Sequence, residues 1–327
     1  MTLVAVDVGG TNVRFAVAAG GGLSEIRSML CSDFPSLQAA LKAYLDEAGI
    51  AASAASIAVA GPVQDAHVDV TNNHWRFDKA DLLAAAGLEQ LLVINDFTAQ
   101  ALAQTDPSAH GNLPLLGGAG RANAPLLVIG PGTGLGVSAL IPAGDGYIPL
   151  QGEGGHVGFA PQDDAEIRLL EMLRDEVGHV SAEHLVSGGG LETIFRLQTD
   201  GRHLAAPAIG AAAVTGDGPE RAAVMTMLGI LGTVIADATL TMGCWRGVVI
   251  AGGIVANLRD LVADSPFAAR FRHQGLMGRL LAEVPVFLCV DPHAGLRGAA
   301  EAMSTPALRH MVIRARDQEA LAREELV

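Results

Sequence analysis

Apolar and polar positions along the chain switch repeatedly between a strand period and a helix period. Leu3–Val8 is a β-rich run interrupted by Asp7, and residues 13–18 form another beyond the turn Gly9-Gly10-Thr11-Asn12. The pair predicts a hairpin, with Gly9-Gly10 supplying the backbone angles of a tight reversal. Leu37, Leu41, Tyr44, Leu45 and Ala48 recur at helical spacing, and Gly49 ends that helix. Residues 56–60 read as a strand stopped by Gly61-Pro62. Residues 91–94 read as a buried strand that delivers Asn95 and Asp96 at its end, and 97–104 as a helix closed by Asp106-Pro107. Strands alternating with helices predict an α/β domain.

Gly, Asn and Pro crowd residues 106–125, which predicts a crossing between domains there. A strand over 126–129 follows, then Gly130-Pro131-Gly132-Thr133-Gly134 and a returning strand over 135–141. This repeats the strand, glycine turn, strand order of the N-terminus and suggests two related half-folds facing a shared cleft. Asp163 with Glu166 three residues later has capping-box spacing. Behind it Ile167, Leu170, Leu173 and Val177 form an apolar stripe that ends at Gly178. Ser181 reads as an N-cap with Glu183 in its first turn. A long apolar helix is predicted over Pro219–Met242, where Gly229 and Gly232 require close helix packing to compensate their poor propensity, and Asp237 within it has no evident partner. A strand over 248–251 feeds Gly252-Gly253, the last strand covers 285–290, a closing helix begins in 299–303, and the charged tail 314–327 is expected on the surface.

With 327 residues, 50% of them hydrophobic, and 40 glycines, the chain can bury a large core and is long enough for two domains. A disulfide-stapled mini-protein and a disordered chain are excluded. Lys plus Arg is 21 and Asp plus Glu is 35, a formal charge of −14. No basic run offsets that charge, which disfavours a nucleic-acid partner and favours a small-molecule enzyme. Cys31, Cys244 and Cys289 are far apart, lack metal-site spacing and fit a reducing compartment. No basic leader precedes the first strand, and the apolar stretch 225–235 is expected to be too short to span a membrane. The expectation is a cytoplasmic protein without a membrane partner.

Three glycine-rich turns, at 9–12, 130–136 and 252–253, follow strands and could each offer N–H groups to anionic oxygens. None has the Walker A sequence, and the first two lead into β-prone residues, unlike a dinucleotide fingerprint. Each alone reads as an ordinary turn; together, with Asp7 beside the first, they point to a nucleoside triphosphate. Asp96 ends a strand where crevices form, while Asn95 or Asp96 can equally cap the following helix. Glu153 and His156 sit among glycines, as a ligand clamp or a surface loop. A metal set of Glu153, His156 and Glu183 is disfavoured without nearby cysteines, and Glu183 also suits a helix N-terminus.

The strings DVGGTN at 7–12, TNNHW at 71–75, INDFTA at 94–99, GPGTGLG at 130–136, GEGGHVGFAP at 152–161, VGHVSAEHLVSG at 177–188 and AGGI at 251–254 carry a resemblance over nearly the whole chain. The chain resembles the bacterial glucokinase family, within the superfamily of sugar kinases, actin and the 70-kDa chaperone ATPases. ROK kinases and repressors share that general fold, but no cysteine-rich zinc motif follows His156 and no helix-turn-helix precedes the first strand. The resemblance departs at Gly158 and Gly189, neither of which removes a hydroxyl-binding group, and at His293 and Arg297, which could alter the nucleotide-side surface.

The resemblance implies an α/β fold of two sugar kinase/actin-like (ribonuclease H-like) ATPase domains with an interdomain cleft. It gives residues 1–107, completed by 304–327, as a small domain and 108–303 as a large one. It implies ATP-dependent phosphorylation of D-glucose at the 6-hydroxyl, with Asp96 as general base. Asn72, Asn95, Glu153, His156 and Glu183, together with Gly132 and Thr133, look like sugar-binding positions. Asp7, Val8, Gly9, Gly10, Thr11 and Asn12 resemble a first phosphate loop, Thr133 and Gly134 a second, and Gly252 and Gly253 the turn beside adenosine. ATP and Mg²⁺ are the implied cofactors, Asp7 reaching Mg²⁺ through water, and a homodimer is the implied assembly. The competing readings are a kinase for another hexose, a non-catalytic sugar or ATP sensor, and a two-domain oxidoreductase, which the lack of a GxGxxG leading into a helix disfavours.

Overall fold

The computed structural model describes residues 2–106, 111–273 and 275–317. The chain forms two compact units: one of Met1–Asp106, Ala143–Gln151 and Pro292–Val327, the other of Pro107–Pro142 and Gly152–Asp291.

In the first unit Leu3–Val8, Asn12–Ala19 and Gly22–Leu30 form an antiparallel meander. Leu3–Val8 also pairs in parallel with Ala54–Val59, which pairs in parallel with Gln90–Asn95, and Ile313–Arg314 closes the edge. Every residue of Ala54–Val59 is buried, as a strand covered on both faces requires. The strand Gly22–Leu30 has no counterpart in the sequence reading. Its register shifts opposite Phe15 and Val17, and Glu25 takes φ 50°, so a bulge breaks the two-residue alternation that would have revealed it. Helix Leu37–Ala48 forms as expected, with Ser36 accepting the Ala39 N–H and Gly49 at φ 64° closing it. Its Tyr44 stacks on Phe15 with ring centroids 4.8 Å apart and donates to the carbonyl of Glu25, pinning the bulge to the core.

The closing helix runs over Ala294–Ser304, beginning before the predicted 299, and packs on Asp96–Leu102. Of the charged tail, residues 318–327 lie outside the described residues; Ile313 and Arg314 belong to the sheet.

The second unit repeats the same local order. The hairpin Leu126–Pro131 and Leu135–Ala143 has Gly247–Ile250 parallel to its first strand, then Val286–Leu288 parallel to that, with Leu113–Leu116 antiparallel at the edge. Pro219–Met242 is a single 24-residue helix, so it does have the length of a membrane span. It is instead the core helix of this unit: 67% of its most apolar window is buried, against Phe267–Arg272, Gly188–Gln198 and Ala206–Thr215. A Cβ on Gly232 would stand 2.5 Å from the carbonyl of Phe267, which is the close packing its glycines require. Asp237 lies on the exposed side of this helix and so needs no buried partner.

Helix Asp164–Val177 is rotated from the predicted stripe. Glu166, Leu169 and Leu173 face inward, whereas Ile167 and Val177 are 43% and 44% exposed. The cause is Arg270, which pairs with buried Glu166 and with Asp163 and donates to Thr233. Asp163 caps the helix through the Glu166 N–H, and the Glu166 carboxylate accepts the Gln162 N–H rather than that of Asp163.

Candidate active site

Three parallel strands of the first unit end in one row. Val8 pairs with Val59 and Val59 with Asn95. The turn after Val8 and the helix at Asp96 therefore leave the sheet at the same edge, about 10 Å apart at ordinary strand spacing. Such carboxyl ends are where open α/β sheets bind ligands. Val8 itself is buried, so only its backbone can face a ligand.

The first glycine turn closes through the Gly9 N–H, which donates to the Asn12 carbonyl at 2.9 Å. The N–H groups of Gly10 and Thr11 take no backbone partner among the described residues. Contrary to expectation, neither Gly9 nor Gly10 adopts a positive φ. At Gly10 glycine serves close approach instead: a Cβ would lie 3.1 Å from the carbonyl oxygen of Asn72, which itself is left-handed at φ 58°. Asn73 latches this loop by donating to the Gly9 carbonyl at 3.0 Å, and the Cys31 sulfur lies 3.7 Å from the same oxygen. Burial pushes the Cys31 thiol up from its ordinary range.

Asp7 is 15% exposed and pairs with Arg14 at 3.3 Å. Burial pushes its carboxyl above the usual carboxylate range, and the Arg14 guanidinium partly restores it. Gly295, in the first turn of Ala294–Ser304, leaves room for this carboxylate: a Cβ there would stand 2.7 Å from Oδ2. A single carboxylate beside a glycine turn is a donor set that would suit Mg²⁺, which keeps several waters and takes few protein ligands.

The cap that Asn95 and Asp96 could each have supplied is made by Asn95. Its Oδ1 accepts the N–H groups of Phe97 and Thr98 at 2.8 and 3.3 Å, and its Nδ2 donates to the Gly61 carbonyl. Asp96 is the first residue of Asp96–Leu102, and its Oδ1 accepts the Phe97 N–H at 2.9 Å.

In the second unit the other two glycine turns meet. Gly132 donates to the Gly134 carbonyl at 2.8 Å and accepts from the Gly188 N–H at 2.9 Å, while Thr133 stands between them at the tip. Gly252, at φ 86°, sits so close to the end of Leu126–Pro131 that a Cβ would stand 2.8 Å from the Pro131 carbonyl oxygen; Gly253 then starts a helix. Glu183 reaches the same turn, where its Oε2 accepts the Leu135 N–H at 2.7 Å. Gly134 makes room for it, since a Cβ would lie 2.4 Å from that oxygen.

The turn Gly154–His156 is pressed on the same strand: Cβ atoms at Gly154 and Gly155 would stand 2.9 Å from Val137 and 2.1 Å from the Leu135 carbonyl. Glu153 precedes it and His156 ends it, and both residues are exposed. His179 lies 3.3 Å from the His156 carbonyl through Nε2, and the Ala182 N–H donates to Val157, joining the two segments. Gly132, Thr133, Gly134, Glu153, His156, Glu183, Gly252 and Gly253 thus surround one end of one hairpin. Asp7, Val8, Gly9, Gly10, Thr11, Asn12, Asn72, Asn95 and Asp96 do the same at one sheet edge of the first unit. Sequence reasoning missed Arg14, Asn73, His179, Leu135 and Gly295. Asn73, Leu135 and His179 lie within the quoted motifs and Arg14 adjoins one, so the motif strings contain or adjoin them; Gly295 lies outside every string and acts through tertiary approach alone.

The glucokinase family model matches residues 3–306. A glucokinase of Marinobacter nauticus is 40% identical over 306 residues, covering 91% of this chain and 95% of its own. The crystal structure of a glucokinase from an Antarctic psychrotroph is similar with a TM-score of 0.82 and 32% identity, over 93% of this chain and 98% of that one. The glucokinase of Balamuthia mandrillaris in complex with glucose shares the fold, with a TM-score of 0.79 and 23% identity over 91% and 92% of the two chains.

Proposed function

We propose, from the premise that this chain belongs to the glucokinase family and catalyses the ATP-dependent phosphorylation of glucose to glucose 6-phosphate, that Asp96 is the general base for the attacking hydroxyl. The observation that carries this reading is the strand register Val8–Val59–Asn95, which starts the first glycine turn and Asp96 from one row. In this reading Asp96 accepts the proton of the 6-hydroxyl as that oxygen attacks the γ-phosphorus and the bond to ADP breaks. A largely dissociative transition state needs the proton removed late, so a carboxylate suffices.

Gly10, Thr11, Thr133 and Gly134 donate backbone N–H groups to phosphate oxygens, and Gly252 and Gly253 form the turn on the adenosine side. Their fixed dipoles stabilise charge without reorganising. Asp7 would hold Mg²⁺ through water, and the ion, when bound, screens the phosphate charge. Arg14 supports this role by pairing with the Asp7 carboxylate, and Gly295 by leaving room for it.

Glucose presents neutral hydroxyls, so its selection needs fixed acceptors and donors. Glu153, Glu183 and His156 supply them in our reading, with the second Asn95 amide proton and the backbone around Asn72, Gly132 and Thr133. Support for Glu183 comes from its anchoring: with Oε2 held by Leu135, Oε1 can accept from a sugar hydroxyl. Incubation with ATP, Mg²⁺ and a panel of hexoses, followed by product identification, tests the assignment. One glucose 6-phosphate per ADP is expected; preferential turnover of another hexose would overturn the sugar reading.

His156→Ala should raise the glucose Kd about tenfold, the worth of one or two well-placed hydrogen bonds, and leave the ATP Kd unchanged. Calorimetric titration reads both. An unchanged glucose Kd removes His156 from the pocket.

A further inference from the structure

The short turn Ala182–His184 carries Glu183 and is closed by its own last residue. The Ser181 N–H donates to Nδ1 of His184 at 3.0 Å, and the Ser181 hydroxyl lies 2.8 Å from the same nitrogen. A backbone N–H can only donate, so this Nδ1 must carry no proton and the ring proton resides on Nε2. Capping boxes are ordinarily closed by Glu or Gln. Histidine in that place makes the closure depend on protonation, because a protonated Nδ1 turns from acceptor to donor and faces the Ser181 N–H with a second proton.

What this turn holds in place is narrow. Glu183 is fixed at both ends, by the Leu135 N–H on Oε2 at 2.7 Å and by the Ser187 hydroxyl on its carbonyl at 2.8 Å. With Gly134 directly beneath the carboxylate, a small rotation of the turn breaks the Leu135 bond or drives Oε2 into the glycine turn.

We propose that His184 is a positioning residue for glucose: with Nδ1 unprotonated it holds the Glu183 turn, and protonation opens the cap and loosens that carboxylate. This rests on the reading of Glu183 as a sugar ligand. The turn packs chiefly against Gly154–His156 and Gly188–Gln198. The titratable groups of those elements are His156, Glu192 and Arg196. Glu192 accepts the Ala206 N–H, Arg196 is paired with Glu176, and none of the three bonds to His184. Among the described residues no carboxylate pairs with the His184 ring, so the lost acceptor is not offset by an ion pair. Glucose affinity therefore falls as pH falls.

The test is steady-state kinetics of the whole chain from about pH 5.5 to 8.5, across imidazole titration, with glucose varied, for wild type, His184→Gln and His184→Ala. Gln offers an uncharged oxygen to the same N–H. Wild-type KM for glucose should rise about fivefold toward acid, as loss of one hydrogen bond implies. H184Q should flatten that rise while keeping the alkaline KM, and H184A should raise KM at every pH with kcat and the KM for ATP little changed. An H184Q profile that follows wild type, or an H184A variant with wild-type KM, overturns the proposal even if H184A melts at lower temperature. Glu183→Ala separates the premise. An unchanged glucose KM there overturns the Glu183 reading and this proposal with it; a raised KM beside wild-type behaviour of both His184 variants overturns this proposal alone.

Discussion

Asp96→Asn lowers kcat by at least about 10²-fold, the lower range for loss of a positioned general base, and leaves the fold and both substrate affinities intact. The substitution is nearly isosteric. Asn95 retains its bonds to Phe97 and Thr98, so the helix stays capped, and an amide oxygen at 96 can still accept the Phe97 N–H. What disappears is the capacity to take a proton from the 6-hydroxyl. The effect must therefore fall on the chemical step. Coupled ADP release gives kcat, calorimetry gives the two Kd values, and thermal unfolding reports the fold. A kcat within threefold of wild type withdraws the general-base role, while a raised glucose Kd at constant kcat makes Asp96 a sugar-binding group only.

The legible features were those set by local pattern. The strand that ends at Asn95, the glycine turns, the Ser36 cap and the long helix Pro219–Met242 follow from periodicity and capping chemistry over a few residues. The illegible ones depend on chain segments remote in sequence. Gly9 and Gly10 read as residues of unusual φ, yet Gly10 is small because Asn72 comes in above it. Ile167 and Val177 match a helical stripe, but Arg270 fixes the rotation of that helix by pairing with its neighbour Glu166. Glu25 hides a strand because a bulge shifts the alternation by one residue. Around the site the same division holds. Residues bearing obvious chemistry are read from their side chains, whereas Leu135, which holds Glu183 through its N–H, and Gly295, which leaves room for Asp7, act through backbone or the lack of a side chain.

That division leads to Gly298→Ala as the largest expected loss of stability. A Cβ at Gly298 would stand 1.6 Å from the Ala99 carbonyl oxygen, 2.4 Å from its carbon and 2.9 Å from its Cα. All three are backbone atoms within Asp96–Leu102, so no rotamer relieves the overlap and the two helices must separate. Overpacking of this severity costs about 3 kcal/mol, which exceeds the ~1 kcal/mol of helix propensity that Ala brings. Tm should fall by roughly 5–10 °C at the ΔH and size of a unit of this kind. Gly189→Ala is the control: it lies in open space on Gly188–Gln198, where the same methyl meets nothing within 4 Å, and Tm should hold or rise. The helix that carries Gly298 begins beside Asp7 through Gly295, and its partner begins at Asp96. Separating them displaces both ends at once, so kcat at a temperature where G298A is fully folded should also fall. A wild-type Tm for G298A would mean that the helices part without cost and that their contact does not fix Asp96, whereas a lowered Tm with unchanged kcat would leave the contact structural and free Asp96 from it.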